Sequence, residues 1–169
     1  MKITTQERIY GLSLIWKEAA YNFAYWDERP ELDWNKAYND FLPLIMKEED
    51  PYEYYRLLQR FISLLRDGHS FVQIPEELLP LYISPVMTEY LEGKHILSTV
   101  PKEHESLLYS EITSINGIPL QDYLEAYIFP YIWHEKTDSV FFSGSTLGYY
   151  INCRERGIVT IGTTSGEYS

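Results

Sequence analysis

The stretch Asp50-Pro51-Tyr52-Glu53-Tyr54-Tyr55-Arg56-Leu57-Leu58-Gln59-Arg60-Phe61-Ile62-Ser63-Leu64-Leu65-Arg66-Asp67-Gly68-His69-Ser70 divides the chain into two kinds of sequence. It opens with a helix start: an aspartate able to accept orphan backbone N–H groups, then a proline whose missing donor costs nothing in a first turn. Tyr54, Leu58, Phe61, Ile62 and Leu65 follow at three- and four-residue spacing, the mark of one apolar helical face. Gly68 is placed to end this helix in the left-handed conformation. From Ser70 onward the periodicity changes.

Upstream the chain stays helical. Thr4 and Glu7 stand at capping-box spacing, so each side chain reaches an orphan N–H of the other. Ile9, Leu12, Ile15, Trp16, Ala19, Ala20 and Phe23 then form a second apolar stripe. Asp33 is an N-cap for a helix carrying Trp34, Ala37, Tyr38, Phe41 and Ile45. Pro43 inside that pattern is expected to kink or shorten it, because it removes a donor and crowds the preceding turn. No single stripe can be buried alone, so residues 1–68 are expected to form a three-helix bundle.

Downstream, Ser70–Ile74, Leu81–Glu89 and His95–Val100 read as strands, with Glu92-Gly93-Lys94 turning between the last two. Glu111–Ile115 alternates in polarity and runs into Asn116-Gly117, a dipeptide suited to the positive φ angles of a tight hairpin. A helix is expected over Leu120–Ile132, its apolar face made by Tyr123, Leu124, Tyr127 and Ile128. A second is expected over Val140–Tyr150, then a strand over Ile158–Thr163 and a turn at Thr164-Ser165-Gly166. The fold class is therefore α+β, with a β-rich module over 69–169. Residues after Gly166 begin a returning strand with little chain left to complete it. That is the pattern of a protein that continues, the alternative being a disordered tail.

Composition narrows the function classes. The 169 residues carry 14 Lys and Arg against 25 Asp and Glu, a net charge of −11. Binding to nucleic acid or an anionic membrane draws on clustered cations, so neither is an expected partner. Cys153 is the single cysteine, which leaves no disulfide within the chain. The amino-terminal residues lack the apolar core of a secretory signal, and no run approaches a membrane span, so a cytoplasmic setting is expected.

Two segments resemble a known family. Tyr52-Glu53-Tyr54-Tyr55 followed by Leu64-Leu65-Arg66-Asp67-Gly68-His69-Ser70 resembles the helix and Asp-Gly-His-Ser/Thr turn of tricorn-core and carboxyl-terminal-processing serine peptidases. Glu111-Ile112-Thr113-Ser114-Ile115-Asn116-Gly117-Ile118-Pro119-Leu120 resembles the strand and Ile-Asn-Gly-Xaa-Pro turn of their PDZ-like module. Trp16-Lys17-Glu18 through Phe23, with Asp33-Trp34, resembles their amino-terminal helical domain. The resemblance implies a polypeptide substrate, no cofactor, and acyl transfer by a serine activated by a neighbouring base. His69 matches the position of that base, and an imidazole suits proton exchange near neutral pH. A lysine beside the serine is the base in many relatives. No serine here lies in a Gly-x-Ser-x-Gly elbow. The resemblance therefore implies that the nucleophile sits in a carboxyl-terminal peptidase domain in cis, and that this chain alone is inactive. Read without the family, His69 is a helix C-terminal histidine that bonds the last carbonyls.

Other constellations carry less. Asp67 and Ser70 are read as turn chemistry. His134-Glu135 is followed by Asp138 where a zinc site of the zincin type needs histidine, and His95 and His104 stand apart, so no metal is expected. Cys153, near Arg154 and Arg156, is read as a small buried residue rather than an activated thiol. Tyr21, Tyr25, Trp26, Tyr149 and Tyr150 could form a stacking platform for carbohydrate or peptide, in a binding module without chemistry. Ordinary cores use the same residues, and that is the reading preferred here.

Overall fold

The computed structural model describes residues 2–79, 85–131, 147, 151 and 157–169. The chain is α+β and divides into two compact units, Met1–Leu79 and Pro80–Ser169. The division thus falls beyond Gly68. Residues 69–79 go with the helices because Val72 packs on their core and its carbonyl accepts a 3.1 Å bond from the Gln59 amide.

The first unit is built on α1 (Thr5–Asn22), α2 (Trp34–Lys47) and α3 (Pro51–Ile62). Each starts where a short polar side chain can reach back to free backbone donors. The Thr4 hydroxyl accepts the Glu7 N–H at 3.2 Å, and the Glu7 carboxylate accepts the Thr4 N–H at 2.8 Å. Asp33 accepts from the Lys36 N–H at 2.8 Å, and Asp50 accepts from those of Tyr52 and Glu53. Pro43 does not shorten α2, which continues to Lys47. Phe41 and Ile45 on either side of it are both buried, and their packing holds the turn that lacks one bond.

Leu12, Ala19, Trp34, Phe41, Ile45, Leu58 and Phe61 from these helices share one core with Leu65. Trp34 and Phe61 stack with ring centroids 4.3 Å apart. Gly11 lets α1 approach α3 closely, since a side chain there would collide with the Tyr54 hydroxyl. Arg8 is buried, yet its guanidinium donates to the carbonyls of Ile45 (3.1 Å), Ile3 (2.8 Å) and Met46 (3.2 Å) and to the Thr5 hydroxyl (3.0 Å). A buried cation is tolerated only when its donors are used in this way. Two of those acceptors are end carbonyls of α2, where the helix dipole favours positive charge.

The end of α3 differs from expectation. The helix tightens into a 3₁₀ turn over Ser63–Leu65, and Arg66, at φ 47°, takes the left-handed conformation. Gly68 is not among the residues of positive φ. Residues 70–74 run without strand pairing, so the expected strand there is absent, although Ile74 is buried. An apolar run specifies burial, and here the burial is achieved without a ladder.

In the second unit β1 (Met87–Leu91) and β2 (Lys94–Thr99) form a hairpin. The turn between them places Glu92 at φ 51° and Gly93 at φ 85°. Of the strand expected over Leu81–Glu89, Leu81–Ser84 lie outside the described residues. β3 (Ile112–Ile115), β4 (Ile118–Pro119), β5 (Ile161–Thr163) and β6 (Gly166–Tyr168) make an antiparallel sheet of order β4-β3-β5-β6. Asn116 and Gly117 turn between β3 and β4 at φ 51° and 76°. The Asn116 side chain also accepts the Thr160 N–H at 2.9 Å, tying the turn to the approach to β5.

The expected helix over Leu120–Ile132 is composite. α4 (Leu120–Tyr123) widens into a π turn over Leu124–Ile128 and then narrows to a 3₁₀ turn over Phe129–Tyr131; Ile132 lies outside the described residues. A π turn lays residue i+5 over residue i, so Tyr123 and Ile128 both reach the core, each 1% exposed. That core also holds Leu97, Leu107, Ile112, Ile115 and Ile161, with Leu147 and Ile151. Apart from Leu147, the helix expected over Val140–Tyr150 lies outside the described residues.

Candidate functional site

His69 sits in a turn after the 3₁₀ end of α3, and its side chain is exposed. Asp67 builds that turn. Its two carboxylate oxygens accept the His69 backbone N–H at 3.3 Å and the Ser70 hydroxyl at 2.6 Å, while its carbonyl accepts the Ser70 N–H at 3.1 Å. An aspartate that bonds the backbone two residues on is ordinary turn chemistry. Asp67 therefore fixes the main chain under His69 and spends its carboxylate there, and the imidazole has no hydrogen-bond partner among the described residues.

The helix-capping alternative for His69 is not what the structure shows. The carbonyls at the end of α3 are taken by Arg29, whose guanidinium donates to Leu65 O at 2.9 Å and Arg66 O at 3.3 Å. The sequence reading missed Arg29, because a bond across 36 residues leaves no local pattern.

His69 lines a cleft of about 550 Å³ within the first unit. The second half of α1 supplies one wall through Leu14, Ile15 and Ala19, and Phe23 follows just beyond the helix. Ile62, Leu65, Phe71 and Val72 supply apolar surface on the side of α3 and the segment after it. Polar atoms enter from Glu18, Asn22, Asp67, His69 and Ser70, and among the described residues that line the cleft none is Lys or Arg. Concave apolar surface with a few placed polar groups is the common form of a ligand site.

The aromatic residues divide between roles. Trp26 packs edge-on against Phe23 at 5.0 Å and lies 5.8 Å from the Trp34 ring, so it extends the core. Tyr25 lines the cleft and is exposed, whereas Tyr21 is 80% exposed and lies outside the cleft lining. Cys153, His134, Glu135, Asp138, Tyr149 and Tyr150 lie outside the described residues.

The two described histidines of the second unit have surroundings of their own within that unit. His95 on β2 is 7% exposed and lies opposite Tyr90, ring centroids 4.9 Å apart; burial pushes its pKa down to about 4. His104 packs edge-on against Tyr168 at 4.8 Å. No group of three or more metal-ligating side chains gathers among the described residues, and no helix among them is long and apolar enough to cross a membrane. No family model matches the chain, and no curated protein matches it.

Proposed function

We propose that this chain is the amino-terminal region of a serine peptidase of the tricorn-core and carboxyl-terminal-processing type. In this reading Met1–Leu79 is the helical bundle and Pro80–Ser169 the PDZ-like module. His69 is the general base for a serine hydroxyl carried by a carboxyl-terminal domain in cis. The observation that carries the reading is the presentation of His69. Its backbone is pinned by Asp67, its imidazole has no protein partner among the described residues, and it borders an apolar cleft. A base must have a free nitrogen within reach of the proton it removes, and a fixed backbone lowers the entropy lost in positioning it. The hairpin at Asn116-Gly117, followed by a helical segment packed on the same core, supports the assignment of the second unit.

The test begins with the reading frame beyond Ser169, which should encode a hydrolase domain with its serine near a glycine-rich strand. The whole protein should then cleave an unfolded polypeptide, and His69→Ala should lower kcat by at least about a hundredfold with the circular dichroism spectrum unchanged. A reading frame without that domain, or a fully active His69→Ala protein, overturns the proposal. In the first case the chain is a recognition module; in the second the base is a lysine beside the serine.

A further inference from the structure

We infer that the cleft beside His69 captures a polypeptide segment in which an apolar side chain stands next to Lys or Arg. The inference rests on the reading above, which supplies a polypeptide substrate, and its selectivity is argued from the cleft.

Three large apolar side chains at the cleft, Leu14, Tyr25 and Phe71, are themselves exposed to solvent. Contiguous exposed apolar surface is costly in water and marks a place where something docks. The occupant must bring apolar surface of its own to gain from covering these groups. A cleft of about 550 Å³ has room for one large side chain with its neighbouring backbone.

Charge fixes the rest. Glu18 and Asp67 are the charged residues that line the cleft, and no Lys or Arg balances them among the described lining residues. The Glu18 carboxylate gives one oxygen to the Asn22 amide at 2.9 Å and keeps the other. An acidic ligand would meet like charge here, in a chain of net charge −11. A cationic neighbour to the apolar side chain meets the opposite sign, which favours encounter and selects against acidic partners. Polypeptide rather than a small amine follows from the reading above, in which the substrate is a polypeptide, and Leu14, Tyr25 and Phe71 offer its apolar side chain exposed surface to cover.

The experiment uses the 169-residue chain and short peptides with blocked ends. One carries Phe flanked by Lys, one Phe flanked by Glu, and one Gly flanked by Lys. Affinity is measured by titration calorimetry, and the site is located by backbone amide shifts. The Lys-Phe-Lys peptide should bind with shifts confined to the second half of α1 and residues 67–72, and the other two should bind at least about tenfold more weakly. Raising salt from about 0.1 M to about 1 M, which shortens the screening length from ~10 Å to ~3 Å, should weaken the first peptide most. Glu18→Lys and Phe71→Ser, both at exposed positions, should each cost about tenfold in affinity, with Tyr25→Ser as a second probe of the apolar wall should Phe71→Ser unfold. Equal binding of the Glu-flanked peptide, shifts outside the cleft, or no binding at millimolar peptide overturns the inference.

These readouts need no nucleophile. Peptide capture in a protein that proves not to hydrolyse upholds this inference and overturns the peptidase reading. Hydrolysis that depends on His69 but ignores Glu18 and Phe71 does the reverse.

Discussion

Arg29 donates its Nε–H to the carbonyl of Leu65 at 2.9 Å, and so one side chain from the α1–α2 connection closes the end of α3. The turn that presents His69 begins one residue beyond the second carbonyl that Arg29 holds. The position of the candidate base is thus set from two directions, by Arg29 on the helix end and by Asp67 on the turn.

Removing the first of these should be felt in stability. The Arg29 side chain is largely buried, and a hydrogen bond from a charged group of this kind contributes about 1.5–3 kcal/mol. Arg29→Ala should lower the free energy of unfolding by about that amount in urea titration. Arg29→Lys should restore little, since an ammonium does not reproduce the two-pronged guanidinium geometry. The ion pair of Arg29 with the exposed Glu31 is long and adds little, so Glu31→Gln should be nearly silent.

Gly11 offers a test of close packing between α1 and α3. Alanine is the better helix former by about 1 kcal/mol, so on propensity alone Gly11→Ala should stabilise. Its added methyl would collide with the Tyr54 hydroxyl, whereas the ring carbon behind that hydroxyl would stand at an ordinary 3.5 Å. Gly11→Ala should therefore lower the melting temperature in the natural background and raise it in a Tyr54→Phe background. A change of the same sign in both would show that the hydroxyl is not the obstacle.

His95 predicts a pH dependence. Burial lowers its folded pKa to about 4 from an unfolded value near ~6.5, so between those values the unfolded chain binds the proton and the folded chain does not. Its contribution is fully present above about pH 6.5 and is lost as pH falls toward 4. Stability should decline over the upper part of that window, where most carboxylates stay ionised. His95→Phe should flatten the slope, as read from urea midpoints at each pH.

What the sequence made legible follows from the range of the interactions. The caps at Thr4, Asp33 and Asp50 each join residues two or three apart, so a short window contains both partners. The hairpin turns at Glu92-Gly93 and Asn116-Gly117 are local for the same reason. The end of α3 departs from the expected stop at Gly68 because glycine is only the residue with least cost at positive φ. Arg66 takes that conformation here, its carbonyl accepting a hydrogen bond from Arg29. Ser70–Ile74 has the composition of a strand, but a strand also requires a neighbour, and composition does not supply one. The break of the helix after Tyr123 answers to the core, where Tyr123 and Ile128 must both be buried.

The site divides in the same way. Asp67-Gly68-His69-Ser70 reads as a turn that displays an imidazole, because its bonds span two and three residues. The cleft beside it is walled by Leu14, Ile15 and Glu18 from a helix far earlier in the chain, and no spacing rule connects those positions to His69.

Arg8 has a wider consequence than its bonds suggest. One guanidinium near the start of α1 holds both Ile3, ahead of that helix, and carbonyls at the end of α2. Fraying normally begins at helix ends one at a time, but here the first cannot loosen without stranding a cation beneath the second. The two ends must let go together, which makes this joint a cooperative latch within the helical unit.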